Sequence, residues 1–491
     1  MNDITAIFAF LKYCLGYKRN MSRMIAGMDW QELYSFASKQ ALLGLSFEGI
    51  ERLGKEYSEE LRLNPIGREL LMTWMGKAQQ IRRQNMKVNA VASKLYSMLR
   101  EDGLRCCILK GQGNALIYPN AYSRNPGDID VWVNASRERI MEYAQKKFEL
   151  GDDIRLQHLE TSLDGVPVEL HFFPCSMNNP IYHTRLQKWF RRNADLQCSH
   201  IVGLPDGAGD IAIPTTAFNV VYQLTHLYHH FFDEGIGMRQ IFDYYYVVCD
   251  FYKVYQNSSK ITPSLFFDKA SCTRQFESEL SLHSLASLFP LKEGSTSHPD
   301  PLTLRGEGGN RPTRCSEPLR SKDGGPSKVS PDCAGWDRLG MSGASKVSPD
   351  CAGWDRLSKE GDNSAGSTTV VTSYASTALD VAQRELKYLG LWKFAGAVMY
   401  VLKEVLGLSE DKMIVPVDEK RGRLLLAEIL DGGNFGRHFS KYGGFTHQSM
   451  GKKYFLKIWR NMHFVRYYPV EALCEPLFRT WHFFWRLKYK K

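Results

Sequence analysis

The residues best suited to chemistry in this chain are two aspartates near the start of a short apolar segment, Asp128 and Asp130. One residue separates them, so in a β-strand both side chains would leave the same face. Two carboxylates held that close repel each other unless a cation lies between them. Mg²⁺ prefers one or two carboxylates together with substrate phosphate oxygens. The pair therefore predicts a site for Mg²⁺ or Mn²⁺.

A third carboxylate, Glu169, lies in a segment whose pattern predicts a β-hairpin. Asp164-Gly165 is a strong turn signal between two alternating runs. In the second run Glu169 and His171 share the face opposite the aliphatic residues. If this strand lies beside that of the aspartates, the three carboxylates form one cluster, which would suit a two-metal site for phosphoryl or nucleotidyl transfer.

A structural role for the aspartate pair is the alternative. An Asp-x-Asp at a strand start can cap a turn, with Asp128 accepting hydrogen bonds from nearby backbone N–H groups. Glu169 downstream and Lys110-Gly111 upstream favour the metal site. The metal-site hypothesis and the capping hypothesis predict different effects of Asp130→Asn on the metal-free protein. A repulsive pair predicts a gain in stability, and a cap predicts a loss.

The order of these motifs resembles the polymerase-β-like nucleotidyltransferase superfamily. Within it, the chain most resembles a family of uncharacterised bacterial nucleotidyltransferases, over most of its length outside about residues 253–380. The runs that carry the resemblance are Leu-Lys-Gly at 109–111, Gly-Asp-Ile-Asp at 127–130, Val-Glu-Leu-His at 168–171, the His- and Arg-containing run 226–243, and the aromatic run 466–485.

The resemblance implies an α+β fold: a nucleotidyltransferase palm with a small mixed sheet, flanked by N- and C-terminal helical regions. It also implies Mg²⁺-dependent transfer of a nucleoside monophosphate from an NTP to a hydroxyl acceptor. Metal-binding and catalytic roles would fall to Asp128, Asp130 and Glu169. The residues implied to contact the nucleotide are Lys110, Gly111, Gln112, Gly113, Arg124, His171, His226, Arg239 and Asp243.

The glycine turn departs from the superfamily pattern at one position. The superfamily usually has Gly-Gly or Gly-Ser there, whereas this chain has Gly111-Gln112-Gly113. Gln112 has no small hydroxyl to offer a phosphate, which bears on nucleotide binding more than on metal binding. Either Lys110 or Arg124 is expected to offset the triphosphate charge.

Two other functions remain open. Proteins resembling the LicD and fukutin group use a similar Asp-x-Asp to move a phosphoalcohol from a CDP-linked donor onto glycans. The chain could also be a non-catalytic nucleotide- or glycan-binding module. The acceptor of the transferred group could be a polysaccharide, a protein or an RNA.

Composition sets broad bounds. The chain has 491 residues, of which 43% are hydrophobic and 12% aromatic, as in ordinary globular proteins. The net charge of +10 suits an anionic partner, but it is modest for this length. Eleven cysteines without a Cys-x-x-Cys pair argue against a zinc ribbon, and without a secretory signal they predict a reduced, cytoplasmic protein. No run of 18 apolar residues predicts a membrane span.

The chain divides by pattern into five regions. They are an N-terminal helical region (1–100), the palm (101–210), a helical region (211–252), an insertion (253–380) and a C-terminal helical region (381–491). The insertion is predicted to be largely disordered, since its Gly-, Ser- and Pro-rich part can bury little. It contains a 13-residue repeat at 327–339 and 345–357, for which a binding motif used twice is the alternative.

Two further segments have an alternative function beside a structural one. His226, His229 and His230 lie on one predicted helix, where a pair of them could bind a metal, although partly buried, hydrogen-bonded histidines are favoured. The tail from Trp459 interleaves aromatic and basic residues. This pattern suits packed helices, or a weak contact of the basic C-terminus with a membrane surface.

Overall fold

The computed structural model describes five stretches of the chain, and all of them belong to one compact unit. The described residues are 3–18, 20–150, 155–256, 378–439 and 450–489. Both copies of the repeat and nearly all of the predicted insertion lie outside these residues.

A four-stranded mixed sheet carries two of the three carboxylates predicted to be functional. Its strands are β1 (Cys106–Leu109), β2 (Ile129–Val133), β3 (His158–Leu163) and β4 (Val166–His171). The spatial order is β1-β2-β4-β3, with β2 and β4 parallel and the two outer pairings antiparallel. With helices on both sides of this sheet, the predicted α+β class is confirmed.

The predicted hairpin is present as β3 and β4. Asp164 and Gly165 both have positive φ, at 51° and 70°. A two-residue type I′ turn requires this sign at both positions, and Asp-Gly is among the pairs that adopt it most readily. The turn sets the register in which His158 faces His171 and Leu163 faces Val166.

The apolar face of the sheet packs on a long helix, α6 (Arg68–Glu101). Ile129, Val131 and Val168 alternate onto this face, as period two requires, and each is at most 2% exposed. They share one hydrophobic cluster with Val88, Val91 and Leu95 of α6. This burial fixes the pleat, so the intervening residues, Asp130 and Glu169 among them, must face the other way.

Most of the described residues are helical. In chain order the helices are α1 (Asp3–Cys14), α2 (Ser22–Ala26), α3 (Trp30–Lys39), α4 (Leu43–Glu56), α5 (Ser58–Leu63), α6, α7 (Gly111–Ala115), α8 (Arg137–Lys147), α9 (Pro180–Gln197), α10 (Thr216–Asp233), α11 (Met238–Gln256), α12 (378–388), α13 (Trp392–Leu406), α14 (Glu419–Gly432), α15 (Met450–His463) and α16 (Pro469–Tyr489). A two-stranded sheet of β5 (Ile201–Gly203) and β6 (Asp210–Ala212) precedes α10.

The polar face of the sheet is closed at one end by aromatic residues. Trp132 of β2 lies 6.3 Å, centroid to centroid, from Phe218 of α10 and 6.0 Å from Phe190 of α9. All three side chains are buried. Helix α10 therefore covers this face and brings its histidines towards Asp130 and Glu169.

The C-terminal helices are only partly packed. Phe464 is buried and stacks on Phe231 of α10 with centroids 4.6 Å apart. Phe455, Leu477 and Phe484, in contrast, are each more than 60% exposed. None of the helices in the described ranges combines the length and the apolar character needed to cross a membrane.

Candidate active site

Strand register brings Asp130 and Glu169 together. In the parallel pairing of β2 and β4, Asp130 lies opposite Glu169, and Glu160 of β3 continues the same row. Paired residues leave the same face of a sheet, so three acidic side chains cross three neighbouring strands. Asp128 precedes β2 and is exposed, at the edge of this row.

Asp130 is held by two cations. The side chain of Asp130 is buried, and its Oδ1 lies 2.9 Å from Lys110 Nζ and 3.0 Å from His171 Nε2. Burial favours the neutral acid, but the charges and hydrogen bonds of Lys110 and His171 outweigh it and hold the pKa of Asp130 well below its usual range. Asp130 is therefore ionised at neutral pH.

His171 joins the two carboxylates. Its Nε2 lies 3.2 Å from Glu169 Oε2 as well as 3.0 Å from Asp130 Oδ1. Burial alone would lower the pKa of His171, but the hydrogen bonds and charges of Asp130 and Glu169 raise it to about 9. Without a metal the imidazole is thus protonated at neutral pH and neutralises part of the acidic row.

The electrostatic repulsion between the two aspartates mainly affects Asp128. No hydrogen bond or ion pair joins its side chain to another described residue. The charge of Asp130, then partial desolvation by neighbouring groups and the charge of Glu169, raise the pKa of Asp128 to about 6. Lys110 and Arg239 offset this only in part. Of the two aspartates, Asp128 is therefore the one whose negative charge is least neutralised by the protein and most needs a bound cation.

Lys110 connects the acidic row to α10. Its Nζ lies 2.9 Å from Asp130 Oδ1 and 2.7 Å from His226 Nε2. Burial and the Lys110 charge hold the pKa of His226 well below its usual value, so the neutral ring accepts a hydrogen bond from the ammonium. His230 continues the contact, with its Nε2 2.9 Å from His226 Nε2. Of the α10 histidines described, His226 is thus the one in contact with Lys110.

The turn after β1 is strained. Lys110 and Gly111 have φ of 50° and 41°. A lysine at positive φ persists only where its surroundings impose it, and such positions cluster at functional sites. Here the ion pair of Lys110 with Asp130 provides that constraint.

The departure at Gln112 has a structural explanation. Its buried side chain donates a hydrogen bond to Asn89 of α6. Gly113 packs against Ile213, which would lie 3.0 Å from a Cβ at that position. Gln112 is therefore a packing residue, and a phosphate contact at this position would involve its backbone.

The two candidate arginines have different surroundings. Arg124 is buried and donates from Nε and Nη2 to the two carboxylate oxygens of Asp243, at 2.7 and 2.8 Å. Tyr118 also donates to Asp243, at 2.7 Å. Burial would raise the pKa of Asp243, but the Arg124 charge outweighs it and lowers that pKa. Arg124 and Asp243 therefore form a buried ion pair.

Arg239 is the arginine that lies towards the acidic edge. Its Nη1 is 3.7 Å from the position a Cβ would take on Gly127, next to Asp128, and donates to Asn125 O at 3.2 Å. Its Nε is buried without a hydrogen-bond partner. Arg239 makes no ion pair with any described residue, and its guanidinium carbon lies 5.4 Å from the centroid of the Phe435 ring.

Sequence reasoning missed His158. It faces His171 across β3 and β4, with ring centroids 4.9 Å apart, and its Nδ1 lies 3.3 Å from Glu169 Oε2. The signal was present in the hairpin. A two-residue turn at Asp164-Gly165 pairs each residue of β3 with one residue of β4, including His158 with His171.

Comparison with known proteins supports the resemblance given by the motifs. Residues 26–261 match the model of a family described as uncharacterised nucleotidyltransferase. The matched range includes the whole four-stranded sheet and every residue predicted for the site. No curated protein and no solved structure matches the chain.

Proposed function

We propose that this chain, whose residues 26–261 match the uncharacterised nucleotidyltransferase family, transfers a nucleoside monophosphate from an NTP to a hydroxyl acceptor in a reaction that needs Mg²⁺ or Mn²⁺. The observation that carries the proposal is the only partly compensated charge of Asp128 beside Asp130. A structural cap would leave Asp128 bonded to local backbone N–H groups, and no described residue bonds it.

The carboxylate set fits a hard divalent cation. Repulsion from Asp130 is the largest cause of the raised pKa of Asp128, and a cation between them relieves it. Asp128, Asp130 and Glu169 would hold the metal. When bound, such an ion stabilises the charge that develops on a transferring phosphoryl group and on the attacking oxygen.

Charge on the triphosphate would be offset by Lys110 and Arg239. Lys110 already contacts Asp130, which places its ammonium at the acidic row. Arg239 lies beside Gly127 without an anionic partner among the described residues. Both residues support substrate placement, since in-line phosphoryl transfer depends mainly on positioning and charge. Arg124 would act indirectly, by holding Asp243 and α11 in place.

The acceptor is a separate question. A polysaccharide, a protein or an RNA would each present a hydroxyl to this site, and the exposed apolar residues of α15 and α16 add a surface on which an acceptor or a membrane could rest. A CDP-linked alcohol is the alternative donor, and it would release CMP in place of pyrophosphate.

The test is pyrophosphate release by the full chain with each of the four NTPs, Mg²⁺ or Mn²⁺, and candidate acceptors. Asp128→Asn should abolish release. Asp164→Asn is the matched control, because Asp164 is an exposed turn residue and Asn tolerates the same positive φ. CMP release from a CDP-linked alcohol, or no metal-dependent NTP binding by calorimetry, would contradict the proposal.

A further inference from the structure

We infer that His158, Glu169 and His171 form a binding site for a divalent cation that accepts imidazole ligands, such as Zn²⁺ or Co²⁺, beside the carboxylate pair proposed for Mg²⁺. The inference goes beyond the proposed function, since it requires neither a nucleotide nor transfer.

The spacing of the three side chains fits one small cation. Glu169 Oε2 lies 3.3 Å from His158 Nδ1 and 3.2 Å from His171 Nε2. Ligands about 2.0–2.1 Å from a tetrahedral metal are separated from one another by about 3.3–3.4 Å. One ligand atom from each of the three residues falls within 4.8 Å of the others.

The hydrogen bonding of His158 is the second, independent observation. The side chain is 93% buried, yet neither ring nitrogen has a hydrogen-bond partner. His171 Nδ1 is also buried without a hydrogen bond. His171 Nε2, in contrast, contacts both Asp130 and Glu169. Buried polar atoms are rarely left unbonded, so the wholly unbonded ring of His158 beside Glu169 indicates that the site has a further ligand.

Ligand chemistry separates this site from the aspartate pair. Imidazole nitrogen suits Zn²⁺ and its transition-metal neighbours, whereas Mg²⁺ prefers oxygen ligands alone. Asp130 Oδ1, 3.0 Å from His171 Nε2, places a second negative charge beside the first. Glu169 belongs to both proposed metal sites, and its carboxylate has two oxygens with which to bind.

The experiment uses the full chain after chelator treatment and dialysis. Titration with Co²⁺ should give a visible absorption band of a four- or five-coordinate ion at a 1:1 ratio, and Zn²⁺ should displace it. His158→Gln should weaken Co²⁺ binding by at least about tenfold, since even an outer-shell partner contributes that much. Glu169→Gln should do the same.

His200→Gln is the matched control. His200 is a partly buried histidine that contacts the backbone oxygen of Ile213 and lies outside the cluster. It should bind Co²⁺ like the parent protein. Circular dichroism of each variant verifies folding before the metal is added.

Two results would overturn the inference: parent-like Co²⁺ affinity in both His158→Gln and Glu169→Gln, or no band in the parent protein. Asp128→Asn separates the inference from the proposed function. If Asp128→Asn retains the band while NTP turnover is lost, both stand. If the Co²⁺ band is lost in His158→Gln but the parent protein never turns over NTPs, the metal site is supported and the proposed function is not.

Discussion

Asp130 and Glu169 are register partners on parallel strands, and one nitrogen of His171 contacts both carboxylates, at 3.0 and 3.2 Å. Together with Lys110, this imidazole neutralises Asp130 in the metal-free protein. The adjacent Asp128 has no such partner. Asp130 is therefore neutralised by neighbouring cations, whereas Asp128 is neutralised only in part. Replacing each aspartate by asparagine should have opposite effects on the stability of the metal-free protein.

Asp128→Asn should stabilise the metal-free protein at neutral pH. The pKa of Asp128 is about 6 in the folded state, above its ordinary value of 3.8. The folded state thus holds this proton more tightly, and stability attributable to Asp128 falls as pH rises from about 4 to about 6. Urea unfolding with chelator across pH 4–7 should show that slope in the parent protein and a reduced slope in the variant.

Asp128→Asn should also change the response of the melting temperature to Mg²⁺. Mg²⁺ should raise the melting temperature of the parent protein and of the Asp164→Asn control, because a ligand of the native state stabilises it. Mg²⁺ should have little effect on Asp128→Asn. An equal Mg²⁺ response in all three proteins would place the metal elsewhere.

Asp130→Asn should destabilise the metal-free protein. The sequence alone predicts a gain in stability for a repulsive pair, but Lys110 and His171 hold the Asp130 charge in the structure and reverse that expectation. Removing one member of a buried ion pair leaves its partners uncompensated, at a cost of about 3–5 kcal/mol. Lys110 and His171 would both lose their closest carboxylate contact. Chemical denaturation at pH 7 with chelator measures the loss, and unchanged or increased stability would contradict the assignment of both cations to Asp130.

Arg124 and Arg239 should differ in what their substitution changes. Arg124→Gln breaks the buried pair with Asp243 and should lower stability by about 3–5 kcal/mol. Arg239→Gln removes the bond to Asn125 O and the contact with the Phe435 ring but no ion pair, so it should lower stability less than Arg124→Gln does and should weaken NTP binding. Melting curves and calorimetric titration with an NTP and Mg²⁺ measure the two effects. The reverse pattern would make Arg124 the substrate ligand.

Gln112→Ser should not improve function, although it restores the hydroxyl usual in the superfamily turn. The substitution removes a buried hydrogen bond and leaves Asn89 without its partner, which costs about 1–3 kcal/mol. NTP affinity should stay the same or fall. Tighter NTP binding by the variant would show that position 112 faces the phosphates.

Much of the sheet could be predicted from local sequence. Asp164-Gly165 sets the hairpin register, and the alternation of Ile129, Val131 and Val133 assigns Asp130 to the opposite face. These features depend on neighbouring residues, so local patterns suffice. The same register would also have paired His158 with His171.

The remaining contacts join residues that are distant in the chain. Arg124 and Asp243 are 119 residues apart, and Lys110 and His226 are 116 apart. No local pattern indicates that Arg124 is neutralised by a buried aspartate while Arg239 is left without an ion-pair partner among the described residues. The difference between Asp128 and Asp130 likewise depends on Lys110, which reaches Asp130 through the pairing of β1 with β2.

The most direct test of the account is pyrophosphate release by the purified chain, with the four NTPs and Mg²⁺ or Mn²⁺, compared between the parent protein, Asp128→Asn and Asp164→Asn. Metal-dependent release is expected with at least one NTP in the parent and in Asp164→Asn, and none is expected in Asp128→Asn. Release that persists in Asp128→Asn would contradict the central role assigned to this carboxylate.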